Sequence, residues 1–99
     1  LNISSKLGSI ETNESSGAHL YRSSKAALNM VTKCLSIDLD GRGVIVAAVH
    51  PGHVSTDMGG RNAALAPEDS VAGVLAMAQR LSPADNGGFF GYDGTPLPW

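Results

Sequence analysis

The sequence predicts an α/β fold built on a parallel sheet, and three observations predict it. An unbroken apolar run, Val44-Ile45-Val46-Ala47-Ala48-Val49, lies between Gly43 and Pro51-Gly52. Such a run suits a strand covered on both faces, as parallel strands are. A long amphipathic stretch precedes it, and the chain opens on Leu1-Asn2-Ile3, which reads as the end of another strand. A second helical stretch and a short aromatic strand follow, so strand and helix alternate as α/β architecture requires.

Taken in order, residues 1–4 are a strand end. Because the chain starts within a strand, the 99 residues are read as the C-terminal part of one domain. Residues 6–18 (KLGSIETNESSGA) are rich in Gly, Ser, Asn and Glu, which predicts an exposed, mobile loop. Residues 19–40 predict a long helix. At 100° per residue its apolar side chains, from Ala26 to Leu39, cover an arc of roughly 220°, about twice the stripe of a one-sided helix. Two packed sides are expected, one against a sheet and the other against a helix or a second subunit. Cys34 lies in this apolar run and is expected to be buried. Gly41 and Gly43 stop the helix.

The strand 44–49 ends at Pro51-Gly52. This is the carboxyl end of a parallel strand, where open α/β sheets bind ligands. Residues 53–66 show no period and predict a loop, with room for a short helical turn. Pro67-Glu68-Asp69 opens a helix over 67–81, since proline suits the first turn and acids suit its positive end. Its apolar positions Val71, Val74, Leu75, Ala78 and Leu81 keep helical spacing. Asn86-Gly87-Gly88 is a turn, 89–92 a short strand and 93–99 a tail.

Composition narrows the function classes. Apolar content of 42% with 16% charged residues suits a folded segment. A formal charge of −2 supplies no basic surface for nucleic acid. No stretch approaches the ~20 apolar residues of a membrane span. One cysteine and three scattered histidines lack metal-ligand spacing. The single cysteine makes no internal disulfide, so a reducing, cytoplasmic setting is expected.

The chemistry concentrates in Tyr21-Arg22-Ser23-Ser24-Lys25. On a helix, positions i and i+4 share a face. An ammonium beside a phenol stabilises the phenolate left by proton transfer, which suits the tyrosine to general acid work. Alone the pair is a weak signal, because Tyr and Lys recur at this spacing by chance. Its context strengthens it: Ser4-Ser5 stands at a strand end, and His50-Pro51-Gly52-His53-Val54-Ser55-Thr56-Asp57-Met58 follows the next strand.

These pieces together resemble the C-terminal half of a short-chain dehydrogenase/reductase. The matching residues are NISS at a strand end, YxxxK at 21–25, SKAAL at 24–28 and PGxVxT at 51–56. The branch resembled is that of sniffer-type carbonyl reductases and C-factor-like proteins, through LGSIETN, HPGHVSTDMGG and GGFFGYDGTPLPW. The resemblance spans the whole chain. It implies the C-terminal half of a Rossmann-like doubly wound parallel sheet.

It also implies roles. Tyr21 would be the general acid in carbonyl reduction. Lys25 would assist it and hydrogen-bond the nicotinamide ribose. Ser5 would donate to the substrate carbonyl, with Ser4 structural. The family serine usually lies about a dozen residues before the tyrosine; Ser5 lies sixteen before it, and Ser9 is the alternative. Pro51, Gly52, Val54 and Thr56 would face the nicotinamide. The implied cofactor is NADP(H), with NAD(H) as the alternative, and the partner a small-molecule carbonyl. The helix 19–40 offers a homodimer surface. The family's glycine-rich phosphate turn and its catalytic asparagine have no counterpart in this sequence, so the 99 residues are expected to be inactive alone. Two other readings stand beside this one: an epimerase or dehydratase on the same scaffold, and a non-catalytic interaction module using helix 19–40.

Overall fold

The computed structural model describes residues 1–99. Three short strands form one sheet: β1 (Asn2–Ile3), β2 (Ala48–His50) and β3 (Phe89–Gly91). They lie in the order β1-β2-β3 and both pairings are parallel, with Ile3 opposite Val49 and Val49 opposite Phe90. Two helices make the crossovers, α1 (His19–Asp38) and α2 (Pro67–Arg80). The α/β class and the parallel sheet are therefore as the apolar run at 44–49 predicts. The core sits on β2 and the two residues before it, where Val46, Ala47, Ala48 and Val49 are buried together with Met77 and Phe89.

Both helices end close to where the sequence places them. Gly41 and Gly43 follow α1 with positive φ, and Pro67 opens α2 with Glu68 and Asp69 in the first turn. The middle strand is shorter than the apolar run and shifted towards its end. Residues 44–47 precede β2 without belonging to it, because part of their hydrogen bonding is not to a neighbouring strand. Val46 N–H donates to the Asn86 side chain at 2.9 Å, and the Val46 carbonyl accepts from Gly87 at 2.7 Å. The last strand ends at Gly91 because the chain folds back on it. Gly91 N–H donates to Thr95 and Leu97 N–H donates to Phe89, both at 2.8 Å. Trp99 then stacks on Phe89 with ring centroids 5.4 Å apart.

Two expectations are corrected. The segment 6–18 is not a uniformly exposed loop. Its start forms a 3-10 turn at Lys6–Gly8, and Gly8 and Ser9 are buried. Gly8 lies so close to α1 that a Cβ there would stand 2.8 Å from Lys25 Cβ, an approach that only glycine permits. The second correction concerns α1. Its fully buried positions are polar: Asn29, Thr32 and Ser36. Leu20, Met30, Val31, Leu35 and Ile37 are exposed, and so is Cys34. The buried stripe is polar because Thr32 hydrogen-bonds Asn2 of β1, Asn29 hydrogen-bonds Ser4 just after that strand, and Ser36 hydrogen-bonds the Asn86 side chain, whereas the apolar arc points outward.

Candidate active site

The carboxyl ends of β1 and β2 open into a cleft of about 570 Å³. Ser5, Tyr21, Pro51, Gly52, Val54 and Thr56 all line it. Six of the seven residues singled out in the sequence thus meet on one surface, although they come from three separate segments. Parallel pairing explains this. Ser4 follows β1 and His50 ends β2 at the same level of the sheet, so Ser5 and Pro51 leave it side by side.

Ser5 is buried at the start of the 3-10 turn, and its Oγ accepts a hydrogen bond from Leu7 N–H at 3.1 Å. That bond uses a lone pair of the hydroxyl and leaves its hydrogen available for donation into the cleft. Ser9, the alternative, is buried, accepts from Thr12 N–H at 3.3 Å and does not line the cleft. Ser4 is structural: its Oγ donates to Asn29 Oδ1 at 2.5 Å in a buried bond.

Tyr21 stands in the first turn of α1. This helix starts at Ala18, which has φ of 50° and no side-chain cap. Lys25 lies one turn further on. Its ammonium is 5.7 Å from the centre of the Tyr21 ring and donates to the Ile3 carbonyl at 3.2 Å. Lys25 is the one predicted residue that does not line the cleft. It braces the ring over the strand end, a cation against an aromatic face.

The β2 side of the cleft is shaped by backbone. Gly52 has φ of 87°, and a Cβ there would come within 2.7 Å of Leu65 Cδ2 and 3.1 Å of the Tyr92 ring. The site therefore needs glycine for conformation and for space. Ser70 Oγ donates to the Pro51 carbonyl at 2.6 Å and pins this turn to the first turn of α2. Thr56 Oγ1 accepts from Gly59 N–H at 3.1 Å, which leaves its own hydrogen free. The Val54 carbonyl is engaged by Thr56 N–H, while the Val54 N–H has no partner within the chain. An open amide, an open hydroxyl and a glycine floor fit a flat carboxamide-bearing ring, so the residues present suit a nicotinamide.

Sequence reasoning missed several contributors. Leu7, Met58 and Val71 supply apolar wall, and Ser70 lines the cleft beside Pro67. Leu7 fell in a segment read as loop, and Ser70 in a helix read for its apolar face. His53 lines the cleft, and its Nε2 donates to the Gly59 carbonyl at 2.9 Å. His50 is half-buried at the end of β2. Burial foremost, and then the nearby Lys6 charge, pushes its pKa below the usual histidine range. Its Nδ1 is buried without a hydrogen-bond partner.

A family model described as short chain dehydrogenase matches residues 1–65. The chain is 46% identical over 97 residues to the C-signal protein of Myxococcus xanthus, covering 98% of this chain and 58% of that protein. It superposes on the carbonyl reductase Sniffer of D. melanogaster with a TM-score of 0.95 at 46% identity, covering 98% of this chain and 39% of that one. With the NADPH-bound carbonyl reductase from chicken fatty liver the TM-score is 0.83 at 40% identity, covering 98% of this chain and 41% of that one. The chain thus spans 58% of its matched curated relative and about two fifths of these solved structures.

Proposed function

The chain belongs to the short chain dehydrogenase family, and on that premise we propose that it is the catalytic half of an NADP(H)-dependent carbonyl reductase. One observation carries this reading: a hydroxyl with a free hydrogen, a braced phenol and a glycine-floored turn share a single cleft. A small aldehyde or ketone binds with its oxygen against Ser5 and Tyr21. NADP(H), when bound, supplies the hydride. Pro51, Gly52, Val54 and Thr56 would hold the nicotinamide, and Lys25 would hydrogen-bond its ribose. As the carbonyl carbon gains a hydride, its oxygen gains negative charge. Ser5 Oγ–H donates to that oxygen throughout, and the Tyr21 phenol gives it a proton, so the product is a neutral alcohol. The phenolate left on Tyr21 is stabilised by the Lys25 ammonium and reprotonated from solvent. In the oxidative direction the same phenolate is the base.

The choice of NADP(H) over NAD(H) draws on the relatives, three of whose solved structures hold NADPH or NADP. The exposed thiol of Cys34 suits a reducing, cytoplasmic setting. No helix is long and apolar enough to cross a membrane.

The test uses a longer protein that contains this chain, with NADPH and para-nitrobenzaldehyde as the carbonyl probe. Tyr21→Phe is expected to lower turnover by about a hundredfold or more, the range of a lost general acid. NADPH binding, read by fluorescence, should stay within a few-fold. Turnover retained by Tyr21→Phe would refute the acid role. A second reading has an observation of its own. The exposed apolar face of α1, with Leu20, Met30, Val31 and Ile37, is a surface through which two copies would pair.

A further inference from the structure

We propose that Asn29 is a positioning residue, which acts through Ser4 to fix where the Ser5 hydroxyl stands relative to the Tyr21 phenol. This rests on the carbonyl-reduction reading above. Tyr21, Lys25, Asn29 and Thr32 fall within about 80° of one another around α1, at 100° per residue. They form the polar stripe that the helix turns to β1. The two residues of β1 and Ser4, which follows them, are each tied to a different position on that stripe. Asn2 Nδ2 donates to Thr32 Oγ1 at 2.9 Å, the Ile3 carbonyl accepts from Lys25 Nζ at 3.2 Å, and Ser4 Oγ donates to Asn29 Oδ1 at 2.5 Å.

The seam is needed because the strand is weak. β1 is two residues long and is joined to β2 by only a few backbone bonds, such as Ser4 N–H to the Val49 carbonyl at 2.7 Å. Ser5 has no tie to α1 of its own, since its Oγ is bonded within its own turn by Leu7 N–H. Its position is set by Ser4, one peptide step before it, and by the turn it caps, whose Gly8 lies against Lys25. Ser4 and Asn29 are 3% and 5% exposed, so water does not compete for their bond.

Packing alone does not account for this pair. Two apolar side chains would fill the space without the cost of burying a polar amide. Asn29 Oδ1 is committed to Ser4, while its Nδ2 has no partner within the chain. A directed bond restrains angle as well as distance, and catalytic geometry is sensitive to displacements of about 1 Å.

The test compares backgrounds in the longer protein, with NADPH and para-nitrobenzaldehyde. Asn29→Ala and Ser4→Ala are made in the parent protein and again in a Ser5→Ala protein. Each is expected to lower kcat about tenfold in the parent, with KM for NADPH within about twofold, because only transition-state geometry is disturbed. In the Ser5→Ala background neither should lower kcat further, since the group they position is gone. A loss of equal factor in both backgrounds marks a purely structural role and overturns the proposal, as does no loss in the parent. Should Asn29→Ala fail to fold, Ser4→Ala removes a single oxygen and decides the same comparison. If Ser5→Ala itself turns over at the parental rate, the carbonyl-reduction reading falls and takes this proposal with it. That result is recognised from one variant alone, before any background is compared.

Discussion

At the residue scale the site depends on a few atoms whose removal has separable effects. Ser5→Ala takes away the donor proposed for the substrate oxygen while leaving the phenol. Loss of one preorganised donor costs about a hundredfold in kcat, with KM for NADPH largely unchanged, and steady-state kinetics on the longer protein reads this directly. Gly52→Ala is damaging for another reason. The residue sits at φ of 87°, where a side chain costs about 1–2 kcal/mol. Its Cβ would also press on Leu65 and the Tyr92 ring. Both a lower urea midpoint and a raised KM for NADPH are expected, whereas an unchanged KM would argue against contact between this turn and the cofactor. His50 predicts a pH limb. Its pKa is lowered in the folded state, chiefly by burial and then by Lys6, so the unfolded chain binds the proton more readily. That contribution to stability is fully present above about pH 6.5 and is lost as pH falls from there through the lower folded value. The urea midpoint should therefore drop on acidification, and His50→Gln should flatten that part of the profile.

At the element scale α1 shows what a sequence can and cannot reveal. Its start near His19 and its stop before Gly41 are legible, because a periodic stretch flanked by glycines leaves few alternatives. The face it buries is not. Periodicity ranks faces by apolar content, and that ranking points away from Asn29, Thr32 and Ser36, the very residues the helix turns to the sheet. Asn29 and Thr32 are buried against Ser4 and Asn2, 25 and 30 residues away in sequence, and Ser36 against Asn86, 50 residues away, partners that no local pattern discloses. The apolar run at 44–49 had the opposite fate: the burial of Val46 through Val49 was legible, although Val44 is exposed, but the ladder was not, because Asn86 and Gly87 satisfy Val46. The cleft was legible for a third reason. Parallel pairing brings successive strand ends together, so Ser5 and Pro51 through Thr56 needed only the fold class to be placed side by side. The polar face of α1 makes its own prediction. Thr32 is fully buried, accepts from Asn2 and donates to the Leu28 carbonyl at 2.9 Å. Thr32→Val keeps the shape but leaves the Asn2 amide unpaired, at about 1–3 kcal/mol. A urea midpoint no lower than the parent's would show that the seam contributes nothing to stability.

At the scale of the whole molecule the chain holds one wall of the proposed catalytic site and leaves two surfaces open. β1 lies at the edge of the sheet, with Leu1 and Ile3 exposed beside it. On α1, Met30 and Ile37 project from one side, about 160–180° around the helix from Tyr21. Unpaired edges and apolar stripes of this kind invite association. The 99 residues alone should therefore bind a hydrophobic dye and sediment as dimers or larger species. Met30→Lys combined with Ile37→Lys adds two charges to that stripe and touches nothing in the cleft, so it should shift the isolated chain towards monomer. Sedimentation that does not respond to this pair would place the contact elsewhere, at the β1 edge. The same isolated chain should show no NADPH-dependent turnover of para-nitrobenzaldehyde, because it has the proposed proton donor and cleft but no glycine-rich turn at a helix start to cradle a pyrophosphate. Proton chemistry and hydride supply are then divided along the chain, and measurable turnover by these residues alone would show that the cleft between Ser5 and Thr56 suffices to hold the cofactor.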